Sequence, residues 1–199
     1  YRFDGITVEK IWDTPESDPT DYVNIHALGV YQDKLYIGTS GTSPHPPVVY
    51  ETKDAKTFTK ILTLNAGMHC RDMKVYRHKM YLLAGTQLWE FDGSTWSLKF
   101  TAPDILGRLT IYKDKLWFGG YGGRLYYYDA DTDTVSQLTT PQVTRNVWGI
   151  SAWEELDTLY LANTGGGVGE LMEYRGYGTP QLAAVVPKPH TTAYFEIYY

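Results

Sequence analysis

Hydrophobic and polar residues alternate along this chain in short runs that turn-forming residues separate. A hydrophobic run, a polar turn and a second hydrophobic run ending in small residues recur four times. The four copies are Leu28–Gly38, Met73–Gly85, Leu109–Gly120 and Ile150–Ala162. Alternation with a period of two is typical of half-buried β-strands, and no sustained helical periodicity of apolar residues accompanies it. The pattern therefore predicts an all-β protein with short connections.

Each copy continues with two further strand-like runs. The third strands are predicted at Val48–Glu51, Leu88–Asp92, Leu125–Asp129 and Leu171–Tyr174. The fourth strands are predicted at Phe58–Leu62, Trp96–Phe100, Val135–Leu138 and Gln181–Val185. Clusters of Asp, Gly, Ser and Thr such as Asp92–Thr95 separate these runs, and such clusters are typical of turns.

The repeat length identifies the architecture. The aromatic residue of the second strand recurs at Tyr36, Tyr81, Trp117 and Tyr160, in steps of 45, 36 and 43 residues. A four-stranded propeller blade takes roughly 40–50 residues. We therefore expect a single β-propeller domain of four-stranded antiparallel blades, with complete blades at about 22–64, 66–102, 104–140 and 143–186.

Both ends of the sequence carry parts of the same repeat. Tyr1–Gly5 matches a third strand, Thr7–Trp12 matches a fourth strand, and Thr192–Tyr199 matches a first strand. Residues 1–13 and 190–199 are thus expected to supply parts of a fifth blade. The propeller would be five-bladed if these parts close a ring. Otherwise the chain is a segment of a larger propeller, which is the alternative we prefer.

Composition narrows the class of protein. The 18 tyrosines and 6 tryptophans suit pleated, half-buried surfaces. The net charge is −5 and the lysines and arginines are scattered, so we expect no nucleic-acid partner. No apolar stretch approaches the roughly 18 residues of a membrane span, so membrane insertion is not expected. The sequence opens on Tyr1 with no signal peptide or initiator Met, as expected of a processed product or an excised piece.

The single cysteine, Cys70, excludes an intrachain disulfide and a cysteine-based zinc site. We expect it to be a small buried hydrophobic residue. The five histidines show no metal-ligand spacing, and Gly165–Gly169 is expected to be a flexible turn rather than a phosphate loop. Asp129–Asp133 is an acidic turn for which calcium is the alternative to a plain hairpin. No cofactor and no metal are predicted.

Polar residues at the starts of the first strands form the candidate ligand site. Arg71 and Arg108 occupy nearly equivalent positions and Asp72 is adjacent, while His26 and Trp148 occupy the corresponding places in the other copies. In a propeller these strand starts line the central channel, so we predict that the five residues bind a ligand at its mouth. The alternative is that they only solvate a water-filled channel. Sialidase-like catalysis requires three arginines, and no third arginine stands at an equivalent position, so no catalytic residue is predicted.

A run of three tyrosines is a second candidate for ligand or partner contacts. Tyr126, Tyr127 and Tyr128 share one strand, so at least one is expected to face outward because strands have a period of two. Such a tyrosine could stack on a sugar or join a protein interface. The alternative is that these tyrosines fill the seam between blades.

Short motifs add a resemblance to known repeats. Leu88–Trp96 and Tyr1–Gly5 resemble the Asp-box/kelch-like repeats of secreted, cell-surface and phage-tail propellers. Thr52–Phe58 resembles a degenerate Asp-box, a structural hairpin in which Asp and Thr bond to the backbone. The resemblance implies propeller architecture but no single activity, because the fold hosts lectins, hydrolases, lyases and scaffolds.

These observations favour a binding module rather than an enzyme. We expect a non-catalytic propeller for recognition or assembly through protein or glycan contacts at a cell or virion surface, with other blades or subunits as further partners. A lectin-like propeller is the alternative, and a glycosidase or lyase with a site at the channel is less favoured. A lectin predicts the same polar and aromatic set in every blade, whereas the copies differ at the equivalents of His26.

Overall fold

A computed structural model describes residues 2–3, 5–9, 24–41, 45–138, 146–165, 168–176 and 181–187. Within these ranges the chain forms β1 Arg2–Phe3, β2 Val8–Glu9, β3 Ile25–Tyr31, β4 Lys34–Thr39, β5 Val48–Thr52, β6 Thr59–Thr63, β7 Cys70–Tyr76, β8 Lys79–Ala84, β9 Gln87–Phe91, β10 Trp96–Thr101, β11 Leu106–Tyr112, β12 Lys115–Gly120, β13 Leu125–Asp129, β14 Thr134–Leu138, β15 Asn146–Trp153, β16 Thr158–Gly165, β17 Val168–Tyr174 and β18 Gln181–Pro187. Two short 3₁₀ turns, Tyr121–Gly123 and Glu154–Leu156, are the helical elements of the described residues. None of these elements is a helix long and apolar enough to cross a membrane.

The strands form four antiparallel four-stranded sheets in chain order. We call them blade 1 (β3–β6), blade 2 (β7–β10), blade 3 (β11–β14) and blade 4 (β15–β18). The predicted all-β fold with four-stranded repeats is confirmed. Strands β1 and β2 pair separately, at the place where the outer strands of a further blade are predicted. Residues 10–13 and 190–199 of that predicted partial blade lie outside the described residues.

Two-residue turns join the first and second strands of blades 1 to 3. Both turn residues have positive φ, at Gln32–Asp33, Arg77–His78 and Lys113–Asp114. Two successive residues in this region make a type I′ turn, whose twist matches that of the strands it connects. Blade 4 instead has the 3₁₀ turn Glu154–Leu156 followed by Asp157 at φ 50. The predicted polar turns are therefore tight hairpins.

The chain forms two compact units. Unit 1 comprises Tyr1–Gly85 and Glu90–Ser97, and unit 2 comprises Thr86–Trp89 and Leu98–Tyr199. Each unit has its own buried aromatic and aliphatic residues. In unit 1 these include Tyr36, Tyr81 and Phe91, and in unit 2 a cluster is built on Trp117, Leu159 and their neighbours.

Blades within a unit meet through their first strands. In unit 1, Cys70 and Met73 of β7 lie over Gly38, and a Cβ added to Gly38 would be 2.7 Å from Cys70 Cβ and 2.9 Å from Met73 Cε. In unit 2, Val147 of β15 lies over Gly119 in the same way, with Cγ1 2.4 Å from an added Cβ. Glycine is needed at both places because any side chain would overlap the next blade.

A tyrosine at the end of a first strand also reaches the next hairpin. The Tyr31 hydroxyl donates to the His78 carbonyl at 2.7 Å, and the Tyr112 hydroxyl donates to the Asp157 carbonyl at 2.8 Å. A tight turn leaves carbonyl groups outside the strand ladder, and these bonds satisfy one of them. The tyrosines therefore fix the turn of one blade against the preceding blade.

Candidate functional site

Every first strand carries a β-bulge three residues or fewer from its start. Its strand pairing shifts by one residue, so that two residues stand opposite one residue of the second strand. The bulges are His26–Ala27, Arg71–Asp72, Gly107–Arg108 and Trp148–Gly149. A bulge leaves the extra residue out of the ladder and redirects its side chain, and bulges are over-represented beside active and binding sites.

All five residues predicted to bind a ligand lie within these bulges. The structure corrects the predicted equivalence of Arg71 and Arg108 in their two strands. The pairing places Gly107 at the position of Arg71, and Arg108 at the position of Asp72. Arg71 and Arg108 are therefore offset by one residue. A role of the five side chains in binding stays a prediction.

In unit 1 the bulges bring two imidazoles together. The rings of His26 and His69 stack with centroids 5.7 Å apart at an angle of 23°. A β-bridge between Ser40 and His69 holds β7 beside blade 1 at this point. Burial, together with the positive charges of Arg71 and His26, lowers the pKa of His69. The lowered pKa favours the neutral form of His69, whose ring carries one donor and one acceptor nitrogen.

The carboxylate in this group is held by its own strand. Asp72 Oδ1 accepts a hydrogen bond from the Met73 backbone N–H at 2.9 Å. Arg71 and Asp72 are both half-buried, whereas His26 is exposed. Within the described part of the chain, no group bonds to the buried Nδ1 of His69. Unit 1 thus presents a guanidinium, a carboxylate and two imidazoles at one end of β3 and β7.

In unit 2 the corresponding end carries aromatic rings. Trp148 meets Tyr121 edge to face, with centroids 4.7 Å apart at 72°. The Tyr121 backbone N–H donates to the Ile105 carbonyl at 2.9 Å, which holds the 3₁₀ turn against the start of β11. Gly107 lies directly on β15, since an added Cβ would be 2.7 Å from the Val147 carbonyl oxygen. The exposed Arg108 follows it.

Further polar groups support the Tyr121 turn. The Gly122 N–H donates to Asn146 Oδ1 at 3.1 Å, and Arg124 forms an ion pair with Asp104. Sequence reasoning missed Tyr121 and His69 as members of these groups. His69 precedes the first strand by one residue, which places it beside His26. Tyr121 follows β12, so its proximity to Trp148 depends on the neighbouring blade and has no sequence signal.

The other candidate residues have contacts that indicate structural roles. Burial raises the pKa of the Cys70 thiol to about 12, and the side chain is fully buried, as expected for a small hydrophobic residue. In the acidic turn, Asp129 pairs with Lys115 and Asp133 with Lys99. Among the residues that the structure describes, no three His, Cys, Asp or Glu side chains are placed to hold a metal ion. Gly166 and Gly167 of the glycine-rich turn lie outside the described residues.

The consecutive tyrosines lie on both faces of β13. Tyr126 and Tyr128 are buried, and Tyr127 on the opposite face is half-buried. The Tyr127 ring contacts Trp117 with centroids 4.9 Å apart. Tyr127 thus lies on the opposite face from Tyr126 and Tyr128, as the period of two predicts, and Trp117 of the neighbouring strand partly covers it.

Comparison with known proteins identifies the fold. No protein-family model and no curated protein sequence matches the chain. A catalytically inactive variant of virginiamycin B lyase from Staphylococcus aureus, solved with quinupristin, is similar in structure (TM-score 0.65, 11% identity, 84% of this chain and 57% of that chain). The extracellular domain of a putative one-component system from B. thetaiotaomicron is also similar (TM-score 0.70, 15% identity, 93% of this chain). The computationally designed protein Ika4 is a third example (TM-score 0.57, 11% identity, 77% of this chain and 91% of Ika4).

These likenesses confirm the propeller-type architecture and show the fold alone, because every identity is low. The chain spans 57% of the lyase chain and 25% of the chain that contains the extracellular domain. Membership of a particular repeat family, whether Asp-box or kelch-like, stays a prediction.

Proposed function

We propose that this propeller module is a non-catalytic recognition module, which binds a protein or glycan ligand through the bulged starts of its first strands. One observation carries the proposal. The bulge has the same register in all four blades, while its residues change from His-Ala to Arg-Asp, Gly-Arg and Trp-Gly. A constant backbone position with varied side chains suits recognition contacts that differ from blade to blade.

The same observation disfavours the alternatives. A lectin with one site per blade needs the same side chains in each bulge, and the bulges of this chain differ. An enzyme of the sialidase type needs three arginines around a carboxylate, and the bulges hold two. The chemistry of the bulges instead supports contacts of two kinds.

The first kind is an anionic contact in unit 1. The Arg71 guanidinium can form paired hydrogen bonds to a carboxylate, and the neutral His69 can donate one more. The second kind is a stacking contact in unit 2, where Trp148 and Tyr121 form an aromatic corner beside Arg108. Aromatic faces of this kind bind sugar rings or apolar side chains. A carboxylate-bearing glycan or an acidic peptide fits the contact in unit 1, and a sugar ring or an apolar side chain fits the contact in unit 2.

The proposal includes a setting at a cell or virion surface. It is supported by the similar extracellular domain from B. thetaiotaomicron and by a chain whose lysines and arginines are scattered rather than clustered. Recognition of external glycans or proteins fits that setting.

The test is a binding screen with paired variants. The chain is applied to an array of neutral, sialylated and uronic-acid glycans and to a set of acidic peptides. For the strongest probe, Arg71→Gln is expected to weaken binding about 10-fold or more, because it removes a charge-assisted bond. For a probe that binds the aromatic rings of unit 2, Trp148→Ala is expected to weaken binding by a similar factor.

Arg77→Gln is the matched control, because Arg77 is an exposed arginine at the opposite end of β7. Equal effects of Arg71→Gln and Arg77→Gln would contradict the proposal. Turnover of any probe by the unmodified chain, lost in Arg71→Gln, would identify an enzyme instead.

A further inference from the structure

The contact between blades 1 and 2 follows a simple rule. The first strand of blade 2 projects two apolar residues, Cys70 and Met73, which lie three apart with the bulge between them. Blade 1 receives them on small residues. A Cβ added to Gly29 would be 3.0 Å from Met73 Cβ, and one added to Gly38 would be 2.7 Å from Cys70 Cβ. We call Cys70 and Met73 the projecting pair of blade 2, and the small residues Ala27, Gly29 and Gly38 the receiving set of blade 1.

In three of the four blades the first residue of the projecting pair is covered. The equivalents of Cys70 and Met73 are Leu106 and Leu109 in blade 3 and Val147 and Ile150 in blade 4. Cys70, Leu106 and Val147 are at most 1% exposed. In blade 1 the equivalent pair is Ile25 and Leu28, which are 46% and 58% exposed. Within the described part of the chain, no blade covers this pair of blade 1. We call the side of β3 that carries the pair the projecting face of blade 1.

The projecting face of blade 1 extends along β3. Val30 lies two residues after Leu28 on the same side of the strand and is 69% exposed. Beside it an open cleft of about 450 Å³ is lined by Val30, its strand partner Leu35, Thr52 and Ala55, and by the charged residues Asp33, Lys34, Lys53 and Asp54. Three exposed aliphatic residues on one strand are unusual for a solvent-facing surface and typical of an interface.

Blade 4 has the complementary surface. Its receiving set is Gly149, Ser151 and Ala162, which match Ala27, Gly29 and Gly38 of blade 1 by strand pairing. All three are half-buried rather than covered. Among the residues that the structure describes, a Cβ added to Gly149 would contact only Ala162 Cβ within 4 Å, at 3.1 Å. Small residues at all three positions leave room for an incoming aliphatic pair.

We propose that a second copy of this chain covers the projecting face of blade 1 with the receiving face of its own blade 4. Both surfaces reproduce the contact already present between blades 1 and 2. The two surfaces differ, so the association is head to tail. The proposal does not depend on the ligand of the bulges.

Sedimentation velocity over a range of concentrations tests the proposal on the full chain. The unmodified chain is expected to self-associate. Leu28→Asp places a charge in the projecting pair, and Ser151→Arg fills the receiving set, so each is expected to raise the dissociation constant ~30-fold or more. Leu98→Asp is the control, because Leu98 is 46% exposed on β10 and belongs to neither surface.

Mixing the two defective variants gives the decisive readout. The Leu28→Asp copy retains a receiving face and the Ser151→Arg copy retains a projecting face, so the mixture is expected to associate more tightly than either variant alone. Circular dichroism checks that both variants fold, and Leu28→Thr with Ser151→Gln is the milder pair if one does not.

Two results would overturn the proposal. A chain that stays monomeric at every concentration shows that no second copy covers the face. A dimer that is lost in Leu28→Asp but unchanged in Ser151→Arg shows a symmetric contact between two projecting faces.

Discussion

Single carboxylates shape the outer turns of the blades. Asp54 Oδ1 accepts the backbone N–H groups of Thr57 at 2.8 Å and Lys56 at 2.9 Å, and the Thr52 hydroxyl bonds to it at 3.2 Å. Asp92 makes the same kind of turn, accepting the N–H groups of Ser94 and Thr95 at 2.8 Å each. These bonds are the ones that the resemblance of Thr52–Phe58 to an Asp-box implies.

The Asp54 turn predicts a specific pH dependence. The backbone N–H groups of Thr57 and Lys56 lower the pKa of Asp54 to about 2, against about 3.9 in an unfolded chain. A lowered folded-state pKa adds stability above the unfolded value, and that contribution is lost as the pH falls from about 4 toward 2. Asp54→Asn should therefore be less stable than the unmodified chain near neutral pH, with a difference that shrinks below about pH 4 in urea denaturation.

The control for this measurement is Glu155→Gln, which removes one exposed carboxylate from the turn after β15. A stability difference between Asp54→Asn and the unmodified chain that stays constant from about pH 6 to pH 2.5 would refute the role of the Asp54 charge.

At the level of residues, the sequence predicted some roles and missed others. The burial of Cys70 was expected because a free cysteine behaves as a small hydrophobic residue. The offset between Arg71 and Arg108 had a signal that spacing could have revealed, because these arginines are 37 residues apart whereas Tyr81 and Trp117 are 36 apart. His69 had no comparable signal, since its contact with His26 depends on how two strands from different blades meet.

Elements within a blade are joined by a shared carboxylate. In blade 2 the Tyr81 hydroxyl donates to Glu90 Oε2 at 2.7 Å, and Lys79 Nζ donates to Glu90 Oε1 at 2.8 Å. Blade 1 has the same arrangement at Glu51, where burial and then the Glu51 carboxylate raise the pKa of Tyr36 to about 12. Blade 3 replaces the hydroxyl and the carboxylate by two aromatic rings, Trp117 and Tyr127, that contact each other across the same strands.

Removal of one hydroxyl tests this arrangement. Tyr81→Phe should lower the free energy of unfolding by about 1.5–3 kcal/mol, because it takes a donor from a buried charged group. The Glu90 side chain is 7% exposed. Thermal or urea denaturation of the variant gives the value.

Tyr128→Phe is the matched control. The Tyr128 hydroxyl donates to Asp133 Oδ1 at 2.8 Å, but the Asp133 side chain is 64% exposed. Water can replace the lost bond, so the cost should be about 1 kcal/mol or less. Equal costs for Tyr81→Phe and Tyr128→Phe would show that burial of the carboxylate is not the deciding factor.

Strands and turns were predictable from alternation because each blade keeps one face of each strand covered. The predicted strand Leu125–Asp129 matches β13, and Trp96–Phe100 falls within β10. The bulges were not predicted, because a strict period of two contains no extra residue. Each bulge is visible in the sequence as two apolar residues that are three positions apart, such as Ile25 and Leu28. Strict alternation would place them two or four positions apart.

For the whole molecule, the length of the sequence repeat was sufficient to predict the propeller architecture. It did not indicate which surfaces stay uncovered, because the copies look alike along the sequence. The exposed fractions of equivalent residues distinguish the blades, since Leu28 of blade 1 is exposed whereas Met73 of blade 2 is buried. This difference leads directly to the proposed contact between copies.

Head-to-tail association makes stability depend on concentration. A dimer that binds only in the folded state raises the midpoint of thermal unfolding as the protein concentration rises. We therefore expect scanning calorimetry of the unmodified chain to show this rise, and Leu28→Asp to show none. A midpoint independent of concentration in both proteins would argue against the association.

The bulges also bear on how such a chain can diversify. Their register is set by the strand pairs on either side, and four different residue pairs occupy the four bulges. The frame therefore tolerates His-Ala, Arg-Asp, Gly-Arg and Trp-Gly alike. Selection can then change the side chains of one bulge without altering the others, except at Gly107, where the Val147 carbonyl oxygen leaves no room for a Cβ.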